Sequence, residues 1–171
     1  MPADAWTVLA ESVDATLAIG RRLGRAAQAG DVVALVGDLG AGKTHLAKGI
    51  AEGLGAAAAR EVASPTFVLC REYLGGRIPF YHLDAYRLRG AADLEAIGSD
   101  DILAGDGVSA VEWADRATEA LPADRLEVHL EVAGETARRM TLRARGPRAA
   151  RLLEAARAED RANDRRRAGD G

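Results

Sequence analysis

Gly37-Asp38-Leu39-Gly40-Ala41-Gly42-Lys43-Thr44 fits the pattern G-x-x-x-x-G-K-[ST], whose chemistry is the holding of nucleotide phosphates. Its glycines let successive backbone N–H groups converge on phosphate oxygens at a helix N-terminus, where the helix dipole also favours anions. Lys43 is placed to bridge the β- and γ-phosphates of a nucleotide such as ATP. The Thr44 hydroxyl is placed to sit on Mg²⁺, a hard cation that takes oxygen ligands. The expected nucleotide contacts are Asp38, Leu39, Gly40, Ala41, Gly42, Lys43, Thr44 and the adjoining His45. Lys43 and Lys48 are the only lysines in a chain whose remaining cationic side chains are arginine, which makes a lysine at this position informative.

Such a loop needs a carboxylate from a neighbouring strand. Phe80-Tyr81-His82-Leu83-Asp84 is an apolar-rich run ending in an acid, so Asp84 is expected to reach Mg²⁺ directly or through water. Val108-Ser109-Ala110-Val111-Glu112-Trp113 brings a second acid to the carboxyl edge, where α/β sheets gather their ligands. Glu112 is expected to orient the attacking water or to hold the hydration shell of the metal. Lys43, Asp84 and Glu112 are therefore the expected catalytic set, and Thr44, Asp84 and Glu112 the expected metal set. The plainer readings are that Asp84 caps the turn before Tyr86 and that Glu112 is a solvated strand end. Ser64-Pro65-Thr66 follows at a distance where nucleotide switches bring a hydroxyl near the γ-phosphate and metal, which makes Thr66 a further expected contact. The same tripeptide can equally open a strand.

These residues need elements to hold them. Val32-Val33-Ala34-Leu35-Val36 is a short apolar run bounded by Asp31 and Gly37, suited to a strand buried on both faces of a parallel sheet. A helix is expected before it, from an N-cap at Ser12 toward Gly30, and another after it, from Lys43 to about Leu54. Thr66 to Tyr73 and Ile78 to Asp84 read as strands around Gly75-Gly76, Val108 to Trp113 as another, and Ala91 to Ile97 as helix. Leu126 to Val132 and Arg139 to Arg143 alternate apolar and polar residues on either side of Gly134-Glu135, the pattern of an antiparallel hairpin. From Pro147 the chain is rich in Arg, Ala and Glu. Leu152, Leu153 and Ala156 share one side of an expected short helix that frays into Asp164-Arg165-Arg166-Arg167. This tail reads as a solvated terminal segment, with an RNA-contacting arm as the alternative.

The chain has 171 residues, 48% of them hydrophobic and 29% charged, with a net charge of -3. That balance excludes a disordered chain and a polybasic nucleic-acid coat, and the length allows one domain of ordinary size. The longest uncharged stretch, Val62 to Cys70, is far below the ~18 residues of a membrane span. The N-terminus, with Asp4 and Glu11, does not read as a secretory signal. A cytoplasmic location without membrane contact is expected. One cysteine and three dispersed histidines give no disulfide and no short zinc pattern.

Asp38-Leu39-Gly40-Ala41-Gly42-Lys43-Thr44, Ser64-Pro65-Thr66-Phe67, Tyr81-His82-Leu83-Asp84-Ala85-Tyr86-Arg87-Leu88 and Val111-Glu112-Trp113-Ala114-Asp115-Arg116 occur in that order. Together they closely resemble the TsaE (YjeE) family of bacterial ATPases, over about residues 12 to 145 and not beyond Pro147. The fold this predicts is α/β, P-loop NTPase-like and three-layered, with a mostly parallel central sheet and a C-terminal antiparallel hairpin. A P-loop domain would cover residues 1–146, and a helix with a disordered tail 147–171. The resemblance implies an ATPase, with ATP and Mg²⁺ as cofactors, needed for the threonylcarbamoyl modification of adenosine 37 in tRNAs that read ANN codons. It further implies work alongside the TsaD–TsaB pair, which performs the transfer, with tRNA contact indirect and no DNA. Thr44 and Glu112 carry over as Mg²⁺-site and catalytic positions, Asp84 as the Walker-B-like acid, and Ser64 to Thr66 as a switch-like loop. The adenine pocket carries over only to the region of the N-terminal segment and the last strands.

Two other classes stay open on the residues alone. A small-molecule P-loop kinase would need an arginine-bearing lid, for which Arg87-Leu88-Arg89-Gly90 is the only candidate. A non-hydrolysing assembly module would use nucleotide to order a docking surface. Guanine specificity would need an Asn/Thr-Lys-x-Asp element, and no lysine follows Lys48. With no evident arginine finger, hydrolysis is expected to be slow in the free chain and faster with partners.

Overall fold

The computed structural model describes residues 4–65 and 69–169. Its strands are β1 (Ala5–Ala10), β2 (Val32–Val36), β3 (Cys70–Tyr73), β4 (Phe80–Asp84), β5 (Val108–Glu112), β6 (Leu126–Val132) and β7 (Arg138–Ala144). Its α-helices are α1 (Val13–Ala26), α2 (Lys43–Leu54), α3 (Ala91–Glu95), α4 (Ser99–Leu103) and α5 (Pro147–Gly169). The strands form one sheet in the order β1-β7-β6-β2-β5-β4-β3. Its centre, β6-β2-β5-β4, is parallel throughout. β7 and β1 extend it antiparallel on one side and β3 on the other.

The period of two along β2 divides its side chains between the faces. Val33 and Leu35 pack with Leu23 of α1, Leu46 and Ile50 of α2 and Leu152 of α5. Val32 and Ala34 pack with Leu83, Leu94 of α3, Leu103 of α4 and Val111. The result is the expected three-layer α/β arrangement, with its C-terminal hairpin formed by β6 and β7.

Helix α1 starts at the expected cap, where the Ser12 hydroxyl accepts a hydrogen bond from Ala15 N at 3.1 Å. It ends at Ala26, short of the expected Gly30. There the Arg77 guanidinium donates to the carbonyls of Gly24, Arg25 and Ala27, satisfying groups that a longer helix would have used itself. Against α2 it packs backbone to backbone: a Cβ on Gly20 would stand 2.7 Å from Gly49 Cα, and one on Gly53 2.2 Å from Arg21 O. This crossing fixes the height of α2, and with it the loop that α2 terminates.

Several expectations shift. β1 was not foreseen. The helix expected over Ala91 to Ile97 is shorter, and a second one, α4, follows Gly98. The strand expected from Thr66 starts at Cys70, while Thr66 itself lies outside the described residues. Helix α5 does not fray at Asp164 but runs to Gly169.

Candidate functional site

Parallel strands end on the same edge of their sheet, so the C-termini of β2, β4 and β5 deliver their sequels to one place. β2 delivers Gly37 to Thr44, β4 delivers Asp84 and β5 delivers Glu112. The register pairs Asp84 directly with Glu112, and Leu35 with Glu112 on the other side. Gly40 and Gly42 take φ of 79° and 101°, values a side chain would strain, and the turn they make aims the first amides of α2 into the loop. This is the strand–loop–helix cradle that the motif requires.

Lys43 Nζ donates to Gly37 O at 2.6 Å and Asp38 O at 2.9 Å, spanning the mouth of its own loop. It also lies 4.0 Å from the centroid of the Trp113 ring. Burial pushes its ammonium below the ordinary lysine range, against the opposing pull of Glu112, Asp84, Asp115 and Asp38. Trp113 follows β5 with φ 55°, the one non-glycine in the left-handed region among the described residues. That backbone costs about 1–3 kcal/mol and turns the ring over the lysine. Tyr86 packs on Trp113 at 4.9 Å, and the Arg116 guanidinium covers Tyr86 at the same centroid distance while donating to Tyr86 O.

Glu112 is 2% exposed, not a solvated strand end. Its Oε1 accepts the Thr44 hydroxyl at 2.7 Å, and its Oε2 lies 2.9 Å from His82 Nε2. Asp84 is committed differently. Oδ1 accepts Tyr86 N at 2.8 Å, which is the capping contact, and Oδ2 accepts the Ser64 hydroxyl at 2.7 Å. Ser64 therefore ties the start of the expected switch-like segment to the acid, although Thr66 falls outside the described residues.

A cleft of about 240 Å³ opens beside the loop, lined there by Gly42, Lys43, Thr44, His45, Ser64 and Glu112, whereas Asp84 is not part of its lining. Leu39, which is 83% exposed, stands on its rim. Val13 and Thr16 of α1, Thr136 of the β6–β7 connection and Arg138 at the start of β7 complete its lining. Arg138 donates to Gly40 O at 3.0 Å, bracing the loop from the hairpin. Sequence reasoning missed His82 and Arg138. Their partners lie 30 and 98 positions away along the chain, so no local pattern announces them. Of the candidate lid, Arg89 is paired with Asp93 on the surface.

The donor set around the mouth of the loop consists of a hydroxyl and carboxylates, the hard oxygens that suit Mg²⁺ held jointly with phosphates. The residues present fit that ion and a nucleotide triphosphate tail.

Residues 10–140 match the family model for threonylcarbamoyl adenosine biosynthesis protein TsaE. The chain is 45% identical over 139 residues to the tRNA threonylcarbamoyladenosine biosynthesis protein TsaE of Bacillus subtilis (strain 168), covering 81% of this chain and 85% of that protein. It is 46% identical over 122 residues to the protein of the same name from Streptomyces coelicolor, covering 70% and 81%. Among solved structures, the Bacillus subtilis protein YdiB superposes with a TM-score of 0.77 at 36% identity, over 91% of this chain and 96% of that one.

Proposed function

The chain belongs to the TsaE family of tRNA threonylcarbamoyladenosine biosynthesis, and from that premise we propose that it binds Mg-ATP at Gly37 to Thr44 and hydrolyses it. The observation that carries this reading is the 2.7 Å hydrogen bond between the Thr44 hydroxyl and Glu112 at the mouth of the strand–loop–helix cradle. It brings the side chain that would hold the metal and the side chain that would handle water to one point.

In this reading the free amides of the loop and of the first turn of α2 bind the phosphates. Lys43 leaves the Gly37 and Asp38 carbonyls and bridges the β- and γ-phosphates. Thr44 and Glu112 would hold Mg²⁺, which when bound would offset the charge of the phosphate oxygens. Glu112 also orients the attacking water. Asp84, whose carboxylate is held by the Ser64 hydroxyl and the Tyr86 amide, would support the metal site directly or through water. The base and ribose lie toward Val13, Thr16 and Thr136. Hydrolysis supports turnover of TsaD–TsaB in the cytoplasm, and tRNA is touched through that pair.

The test is steady-state ATP hydrolysis by the chain, alone and with TsaD–TsaB. The expected result is slow turnover alone, stimulation by the pair, and loss of both in Glu112→Ala. Binding to the pair without stimulation would favour the non-hydrolysing assembly module. Transfer of phosphate to a small acceptor faster than to water would favour the kinase.

A further inference from the structure

His82 is a buried histidine that the proposed chemistry does not use. It lies on β4 with its side chain 0% exposed, and its ring lies 6.2 Å from the Phe80 ring at 19°, which fixes the plane of the imidazole. Its register partner on β5 is Ala110, small enough to leave the ring room beside Glu112 two residues further on. Nε2 meets Glu112 Oε2 at 2.9 Å, whereas Nδ1 is buried with no partner among the described residues.

That arrangement is a poor way to fill a core. A buried nitrogen without a partner costs stability, and a leucine would occupy the space between two strands without that cost. Because the partner of Nε2 is a carboxylate oxygen, Nε2 carries the hydrogen and donates it. The bond therefore fixes one oxygen of Glu112 and leaves the other facing Thr44. The two contacts of Glu112 differ in kind. The Thr44 hydroxyl is needed elsewhere once metal and phosphate are bound, whereas the His82 contact lies back in the sheet, away from the cleft.

We propose that His82 is a positioning residue: it holds the Glu112 carboxylate toward the phosphate end of the cleft when Thr44 is engaged elsewhere. The inference rests on the ATPase reading above. Partners of this kind behind a metal-site carboxylate change activity by roughly tenfold to a hundredfold when removed.

The experiment compares His82→Asn with His82→Gln and adds a spectroscopic readout on the intact chain. The glutamine amide nitrogen stands as many bonds from Cα as Nε2, and the asparagine nitrogen stands one bond nearer. Expected are a kcat loss of roughly tenfold to a hundredfold in His82→Asn, Mg-ATP affinity within about threefold of wild type, and recovery of most of kcat in His82→Gln. In ¹⁵N-histidine-labelled protein without nucleotide, a slowly exchanging ring N–H signal of His82 is expected, and it should move in Glu112→Gln. Equal loss in both His82 variants, loss of affinity in step with kcat, or a ring signal indifferent to Glu112→Gln would each overturn the proposal while leaving the ATPase reading intact. If His82→Asn does not fold, His82→Gln and the ring signal decide. A wild-type chain without turnover under any condition overturns the ATPase reading and this inference with it.

Discussion

Trp113 has the Lys43 ammonium 4.0 Å from its ring centroid, and the Arg116 guanidinium 5.3 Å from the same point. A cation over an indole is worth about 0.5–2 kcal/mol, so a phosphate that draws Lys43 away changes the surroundings of Trp113 more than those of any other ring. ATP should therefore shift Trp113 fluorescence, and the shift should vanish in Lys43→Ala and in Trp113→Phe, which retains Trp6 as the other indole. A shift unchanged in Lys43→Ala would refute this account of the lysine. Glu127 gives a second test at this scale. Burial pushes its carboxyl upward, but hydrogen bonds and charge from Arg145 and Arg125 outweigh that and hold it below the ordinary carboxylate range. A depressed folded value means stability that is present above the unfolded pKa and lost as pH falls through the folded one. Urea midpoints should therefore fall less on acidification in Glu127→Gln than in wild type; equal slopes would show that the pair contributes nothing.

The α1–α2 crossing sets the position of the phosphate loop. A Cβ on Gly49 would stand 2.5 Å from Leu17 O and 2.9 Å from Gly20 Cα, both backbone atoms that cannot swing aside. Gly49→Ala should lower stability by about 1–3 kcal/mol through overpacking, even though alanine favours helix by about 1 kcal/mol. Gly90→Ala, with nothing within 4 Å of the added atom, should be near neutral. Denaturant midpoints for the two variants check this, and a neutral Gly49→Ala would mean that the helices can separate freely. The elements legible in the sequence were those whose cause is local. β2 and α2 are consecutive, bounded by Asp31, glycines and Leu54, and were read at their observed bounds. β1 was missed because its pairing is with β7, from Ala5↔Arg143 to Ala10↔Arg138, and a six-residue edge strand carries little pattern of its own. The end of α1 was misread for the same reason, since the side chain that closes it comes from Arg77. At the site, strand ends pointed to Asp84 and Glu112. Nothing local said that Asp84 would be tied to Ser64, or Glu112 to His82.

At the scale of the molecule, α5 lies beyond the family match at residues 10–140, yet it is built into the fold. Asp124 accepts from the Arg148 and Ala149 amides, capping the start of the helix. Arg151 donates to the buried Asp31 at 2.6 Å and to Ala26 O. Ala149, Leu152, Leu153 and Ala156 are buried against the core, and beyond them the helix is held by Arg22–Asp160 and Arg25–Glu159 pairs. The two halves should therefore differ sharply in what they contribute. Ending the chain after Gly146 removes two buried leucines worth about 1.5–3 kcal/mol each and leaves Asp31 without Arg151. Ending it after Ala158 removes the Arg25–Glu159 pair and the less exposed Arg22–Asp160 pair but leaves both arginines open to water, a loss of about 0–1 kcal/mol each. Urea unfolding of the two truncations should show a loss of at least about 3 kcal/mol for the first, from the leucines alone, and about 1 kcal/mol or less for the second. A chain ending at Gly146 with the midpoint of the full protein would mean that the core closes without α5. A large loss on ending at Ala158 would place the anchor in the arginine-rich half instead.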